Sequence, residues 1–249
     1  MKALILLLAL FSFTSIYAQS KDNAQVVTIY LTFDDGPMKA SSHLLEAIEK
    51  DSVPVTVFLV GRRASANAEN SFILERYRSN SLFEIANHSF SHANGKYKSY
   101  YSHPQTVIDD ILYNEDCLSL SNKIVRLPGR NVWRLNGRKR HDLADAAPAA
   151  DSLAAKGYTI FGWDMEWCYD TSGKSNYTAS HMMEQVRYIA RYGNSFVKDH
   201  IVILCHDPML LNAATRKEFK LFLAQVKADP YLQFALLSGY PGYSLLARH

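Results

Sequence analysis

Three cysteines in 249 residues, Cys117, Cys168 and Cys205, are too few for a disulfide framework. No CxxC spacing relates them, so an exported chain of this kind holds one bridge at most. One-sided charge is also missing: 27 Lys and Arg against 24 Asp and Glu leave a net of +3, too weak to argue for a nucleic-acid or anionic-surface partner. There is no GxGxxG and no Walker-type loop, which weakens a nucleotide-binding reading. Internal repeats, low-complexity tracts and linkers are absent too. The apolar run near the start, Ala3 to about Phe13, is short for a membrane span, so no stable membrane insertion is expected.

What is there begins with "MKALILLLALFSFTSIYA", residues 1–18: a positive charge at Lys2, an apolar stretch, and a small residue at Ala18. That layout is a secretory signal peptide, and it predicts a secreted or periplasmic protein. The rest, with residues 26–245 as one domain, suits a single α/β barrel in size. Short apolar runs rich in Val, Ile, Phe and Tyr read as strands over 26–33, 53–61, 82–88, 123–128, 158–164, 200–206 and 234–238. Amphipathic stretches over 41–51, 67–79, 104–122, 142–157, 179–193 and 213–229 read as helices, the fourth broken by Pro148. In the last of them Phe219, Phe222, Leu223 and Val226 recur at three and four residues, a stripe that lies on a sheet. Strand and helix taking turns predict a parallel sheet covered by helices, and about seven such units predict a distorted (β/α)7–8 barrel. The polar, aromatic stretch 91–105 reads as a long loop.

In parallel α/β folds the chemistry gathers at the C-terminal strand ends. The conspicuous polar residues fall there: Asp34 and Asp35 in "LTFDDGP", His88 and His92 in "NHSFSH", Arg126 and Gly129 in "RLPG", Asp164 and Glu166 in "GWDMEW", and His206 with Asp207 in "LCHD". His88 and His92 have the spacing that sets two imidazoles on one side of a helical turn. Two nitrogens and one carboxylate oxygen make a common catalytic zinc shell with a position left for water. The paired acids then divide the work: one ligates, and its neighbour acts as base toward the water. Arg126 is placed either to orient that base or to form a surface ion pair, and His206 either to protonate a leaving group or to sit as a hydrogen-bonded core residue.

These motifs, in this order, resemble the polysaccharide deacetylases of the NodB-homology type, carbohydrate esterase family 4. "TFDDGP" is the most specific of them, and "HSFSH", "RLPG" and "LCHD" fit the later ones, so the resemblance covers roughly Val26 to Asp207. It implies a distorted (β/α) barrel that binds zinc or a similar divalent ion such as cobalt and hydrolyses N-acetyl groups on a polysaccharide, peptidoglycan or chitin. By motif, Asp34 resembles the base, Asp35, His88 and His92 the metal triad, and Arg126 the residue that positions the base. The Gly129 amide falls where the family places an oxyanion donor, and His206 resembles the acid. Two positions depart from the pattern. Gly129 stands where a bulky residue is usual, and Glu166 rather than an Asp precedes Trp167, leaving Asp164 and Glu166 as alternatives for the carboxylate that meets His206. Tyr97, Tyr100, Tyr101 and Trp167 are the candidate saccharide-stacking aromatics. The competing readings are an O-acetyl esterase and a saccharide-binding barrel without turnover.

Overall fold

A computed structural model describes residues 25–244; the expected signal peptide lies outside them. The first half runs β1 (Val27–Asp34), α1 (Ser41–Asp51), β2 (Val55–Leu59), α2 (Gly61–Ala64), α3 (Ala68–Arg78), β3 (Phe83–Asn87), α4 (Tyr97–Tyr101), α5 (Pro104–Leu118) and β4 (Ile124–Val125). The second continues with β5 (Val132–Leu135), β6 (Arg138–His141), α6 (Ala147–Ala155), β7 (Thr159–Ile160), β8 (Met165–Glu166), α7 (Ala179–Tyr192), β9 (His200–His206), α8 (Ala213–Ala228) and β10 (Leu232–Phe234). Side-chain caps start three helices: Asn67, Thr178 and Asn212 each accept from a backbone N–H of the following first turn. Gly193, in the left-handed conformation at φ 65°, ends α7.

Strand order is β6-β5-β7-β4-β3-β2-β1-β9-β8, with β10 beside the start of β1. From β7 to β8 all neighbours are parallel, and the sheet curls into a barrel that stays unpaired along one seam, between β7 and β8. The antiparallel hairpin β5–β6 takes the place beside β7. Its turn is "NG": Asn136 and Gly137 both have positive φ, the pair a two-residue turn between right-twisted strands demands. That signal stands in the sequence, yet the hairpin is not among the strands expected there. Arg138–His141 is charged and exposed, a composition that protects an edge strand from further pairing.

Alternation along each strand sorts the core. On β1, Ile29, Leu31 and Phe33 face outward against α1, α7 and α8, within one large apolar layer. Tyr30 faces inward to a second cluster with Phe58, Ala86, Ile124, Phe161 and Val202. Continuing those inward series by twos reaches Asp34, His88, Arg126 and His206. The same face of the pleat that fills the lower barrel with apolar side chains therefore ends in polar ones at the top. That is where the site is built.

Several expected elements differ in detail. The loop predicted over 91–105 contains α4, whose buried Tyr100 and Tyr101 pack toward α5. The strand expected over 158–164 is only two residues long, because the chain leaves the sheet at the seam before β8. "FALLS" is not a strand: β10 pairs at Leu232–Phe234, and a 3-10 turn follows at Leu237–Gly239. Pro148 sits in the first turn of α6, where its missing N–H costs nothing, after a 3-10 turn at Ala144–Ala146. All three cysteines are free. Among the described residues, no helix is long and apolar enough to cross a membrane.

Candidate metal centre

Asp34 ends β1 pointing into the barrel, and Asp35 follows in the left-handed conformation, φ 77°, which turns its carboxylate back toward β3. His88 is the next inward position on β3. His92 is not on a helical turn with it, as the spacing suggested. Instead Ser89, at φ 64°, reverses the chain, and its hydroxyl accepts from the His92 N–H at 3.0 Å. The two imidazoles end 5.1 Å apart, centroid to centroid.

Asp35, His88 and His92 each offer one ligand atom, all within 4.8 Å of one another. The His88 tautomer is fixed, because its Nδ1 lies 2.9 Å from the Arg126 carbonyl, which can only accept. Nδ1 therefore carries the proton, and Nε2 turns its lone pair toward the two aspartates, 3.6 Å from Asp34 and 3.8 Å from Asp35. Burial lowers the His88 pKa to about 4, so the ring stays neutral and able to ligate well into the acid range. Burial by itself raises Asp35, but the His92 hydrogen bond and the charges of His88, His92 and Arg63 hold its carboxyl well below the usual range. Asp35 Oδ1, 2.9 Å from His92 Nε2, is buried without a well-directed donor. An ionised, buried oxygen left open beside two imidazole nitrogens is a donor set that fits a divalent transition metal.

Asp34 is held differently. Arg126, fully buried, gives it one hydrogen bond from Nη1 at 2.8 Å. The other guanidinium bonds go to Thr32 Oγ1, to the Phe161 carbonyl and to the Gly162 carbonyl, two of them acceptors at the barrel seam. The ring of Phe58 lies 4.1 Å beneath the guanidinium. Asp34 Oδ2 is left facing the metal triad.

A pocket of about 270 Å³ opens over these groups, lined by Asp34, Asp35, His88, His92, Tyr97, Gly129, Trp163, Glu166, Leu204 and His206. Gly129 has φ 62°, and the Tyr97 ring lies 3.0 Å from where a Cβ would stand on it. Any larger residue there would push Tyr97 out of the pocket wall. Among the described residues, the Gly129 N–H has no protein acceptor.

The site brings together most of the residues expected from sequence and leaves out four. Trp167 is outward by alternation and buried against Phe219 and Phe222. Tyr100 donates to Asp110 at 2.9 Å and Tyr101 to the Pro128 carbonyl at 2.7 Å, both from buried positions. Of the tyrosines expected to form a saccharide wall, Tyr97 alone lines the pocket. Asp164 lies one layer lower, level with Val202, and its oxygens accept from Arg140, Phe196 N and Val202 N. Glu166, level with Leu204, is the carboxylate that reaches the pocket. It makes no hydrogen bond to His206, whose buried Nδ1 has no partner among the described residues. Sequence reasoning missed Arg63, which donates to the Asp35 carbonyl at 2.5 Å from the turn after β2. A second arginine in "GRRA", directly after an apolar strand, is its only signal.

The family described as polysaccharide deacetylase matches residues 21–129, the stretch from before β1 through Gly129. Over that stretch the chain is similar to the polysaccharide deacetylases. A bifunctional xylanase/deacetylase from Pseudobutyrivibrio xylanivorans is 36% identical over 91 residues, which is 36% of this chain and 15% of that one. A chitooligosaccharide deacetylase from Rhizobium leguminosarum is 30% identical over 78 residues, 31% of this chain and 33% of that one. The chain thus matches at most a third of the length of these relatives. Among solved structures, the catalytic domain of a peptidoglycan N-acetylglucosamine deacetylase from Eubacterium rectale superposes with a TM-score of 0.63 at 21% identity, covering 87% of this chain and 91% of that one. At that identity the likeness establishes the fold.

Proposed function

We propose that this protein is a metal-dependent hydrolase that removes N-acetyl groups from a polysaccharide, most favourably the N-acetylglucosamine or N-acetylmuramic acid of peptidoglycan, releasing acetate. One observation carries the reading: a buried, arginine-held carboxylate, Asp34, stands 3.6 Å from an imidazole of a three-ligand metal site, inside one pocket with His206 and Gly129.

Asp35, His88 and His92 would hold the ion. A divalent cation there supplies Lewis acidity for the acetyl carbonyl and brings a water's pKa toward neutrality. Asp34, held by Arg126, takes the proton of the attacking water. The Gly129 N–H donates to the oxyanion that forms as the carbonyl carbon becomes tetrahedral, a contact typically worth about 3 kcal/mol. His206, protonated, gives its proton to the sugar nitrogen as the C–N bond breaks, so acetate and a free amine leave. Glu166 stands on the same pocket wall as that histidine. Tyr97 and Trp163 offer aromatic faces on which a sugar ring stacks.

Residues 1–18 support an exported enzyme, secreted or periplasmic, and export places it with wall polysaccharide. The test is acetate release by protein lacking those residues, from peptidoglycan, chitin oligomers and acetylated xylan, with and without chelator and added zinc. Metal-dependent release from peptidoglycan is the expected result. Release from chitin or from the ester alone would move the substrate, and no release from any of them would leave a saccharide-binding role.

A further inference from the structure

The helix behind the metal loop carries two polar side chains that the reaction does not use. α5 buries Val107, Ile108, Ile111, Asn114 and Leu118, an apolar stripe interrupted by one asparagine that is completely buried. One turn earlier on the same helix is Asp110. Asn114 Nδ2 donates to Asn87 Oδ1 at 2.8 Å and to the Leu59 carbonyl at 3.1 Å. Asn87 Oδ1 also accepts from Ser89 N, and its amide nitrogen donates to the Ile111 carbonyl. Asp110 accepts from Ser91 N at 3.1 and 3.3 Å, from Ser91 Oγ at 2.9 Å and from Tyr100 at 2.9 Å, while its carbonyl accepts from Phe90 N.

Asn87 is the residue before His88, and Ser91 is the residue before His92. Two side chains four residues apart on α5 thus hold the neighbours of two histidines four residues apart in the loop. We infer that Asp110 and Asn114 are positioning residues that set the geometry, and hence the affinity, of the metal site, an inference that rests on the metal-dependent reading above.

Two physical arguments favour this over ordinary packing. The loop contains four non-glycine residues with positive φ, Ser89, His92, Ala93 and Asn94. Such conformations are unfavourable for L-residues and persist only where the surroundings impose them. Here α5 holds the residues beside them, Asn87 and Ser91. Secondly, Asn114 is costly where it stands, because among the described residues its buried Oδ1 has no donor. A leucine would complete the stripe without leaving an unsatisfied oxygen. The asparagine gives up that apolar contact and holds the loop through its two hydrogen bonds.

The experiment is a cobalt(II) titration of chelator-treated protein, read by visible d–d absorption. Wild type is compared with Asp110→Ala, Asp110→Asn and Asn114→Leu, and with Asp109→Ala on the exposed face of the same helix. Partners behind metal ligands typically change affinity about 10- to 100-fold. Asp110→Ala and Asn114→Leu should each weaken cobalt binding about tenfold and alter the absorption band. Asp110→Asn, which keeps an acceptor for Ser91, should recover part of the loss, and Asp109→Ala should match wild type. Metal-free Asn114→Leu should melt no lower than wild type, which separates metal affinity from stability. Unchanged cobalt affinity and spectrum in the Asp110 and Asn114 variants would overturn the inference while leaving the metal site intact. Failure of wild type itself to take up cobalt would overturn the metal reading and the inference together. Should Asn114→Leu not fold, the two Asp110 variants decide the matter.

Discussion

Arg126 reaches Asp34 across the barrel, Nη1 to Oδ1 at 2.8 Å, and both side chains are sealed from solvent. The pair joins two functions in one guanidinium. Toward the site it holds a carboxylate aimed at the metal-ligand cluster. Toward the seam it satisfies the carbonyls of Phe161 and Gly162, which no neighbouring strand serves. Arg126→Ala leaves a buried charge and two acceptors unpaired, a loss on the order of 3–5 kcal/mol. Chemical denaturation should show it as a fall in folding stability that Arg126→Lys does not recover, since one ammonium cannot reach four acceptors. A variant with unchanged stability and reduced activity would confine the arginine to catalysis.

Asp34→Asn separates the proposed base from the fold. An amide oxygen still accepts from Arg126, so the barrel should stay folded and the triad should still bind metal. Turnover should drop by orders of magnitude, because an amide takes no proton from water. Calorimetric metal binding alongside acetate release checks both halves, and near-normal turnover would remove Asp34 from the role of base.

The fold was legible where alternation and helical stripes are long, and so were the ends of β1, β3 and β9. Their polar residues are adjacent to apolar runs whose parity fixes which side chains face inward. Legibility failed where the decisive contact is distant in sequence. "YYSH" gives no sign that Tyr100 and Tyr101 turn inward to Asp110 and Pro128, while Tyr97 stays in the pocket. Asp164 and Glu166 have equal parity, and only the pairing of β8 with β9 sets one a layer above the other. The hairpin at "NG" and the asparagine in the α5 stripe were both written locally, as a turn dipeptide and as a polar break in an apolar period.

That difference among the tyrosines is measurable. Tyr97→Ala should raise KM for oligosaccharides more than for a small acetyl ester, since only the oligomer has a ring to stack. Tyr100→Phe and Tyr101→Phe should leave KM alone and cost about 1 kcal/mol of stability each, the loss of one buried hydrogen bond. Equal KM effects of Tyr97→Ala on both substrates would place its ring outside the sugar path.

Removing a ligand tests the triad apart from the base. His92→Ala takes one of three donors from a site that Asp35 and His88 cannot complete. Cobalt or zinc binding should weaken by at least about tenfold, with acetate release falling alongside it. Added metal at high concentration should restore part of the activity. Full activity at trace metal would exclude His92 from the shell.

Asp207 gives a pH dependence with a definite sign. It is buried beneath the turn after β1, where the Ser41 hydroxyl donates to it. Burial raises its pKa to about 7, helped by the charges of Asp35 and Asp34 and opposed by Ser41 and Arg63. A carboxyl raised in the folded state keeps a proton that the unfolded chain has already released. Its contribution is therefore fully present below the ordinary carboxylate range and is lost as pH rises through 7, by as much as about 4 kcal/mol. Asp207→Asn retains an acceptor for Ser41 and cannot ionise. In chelator-treated protein the variant should match wild type in stability at pH 4 and exceed it by a few kcal/mol at pH 8. Urea unfolding at the two pH values measures the difference, and because the comparison is between variant and wild type, the opposite acid sensitivity of His88 cancels. A gap of equal size at both pH values would mean that Asp207 is ionised throughout and that its neighbours, not burial, govern it.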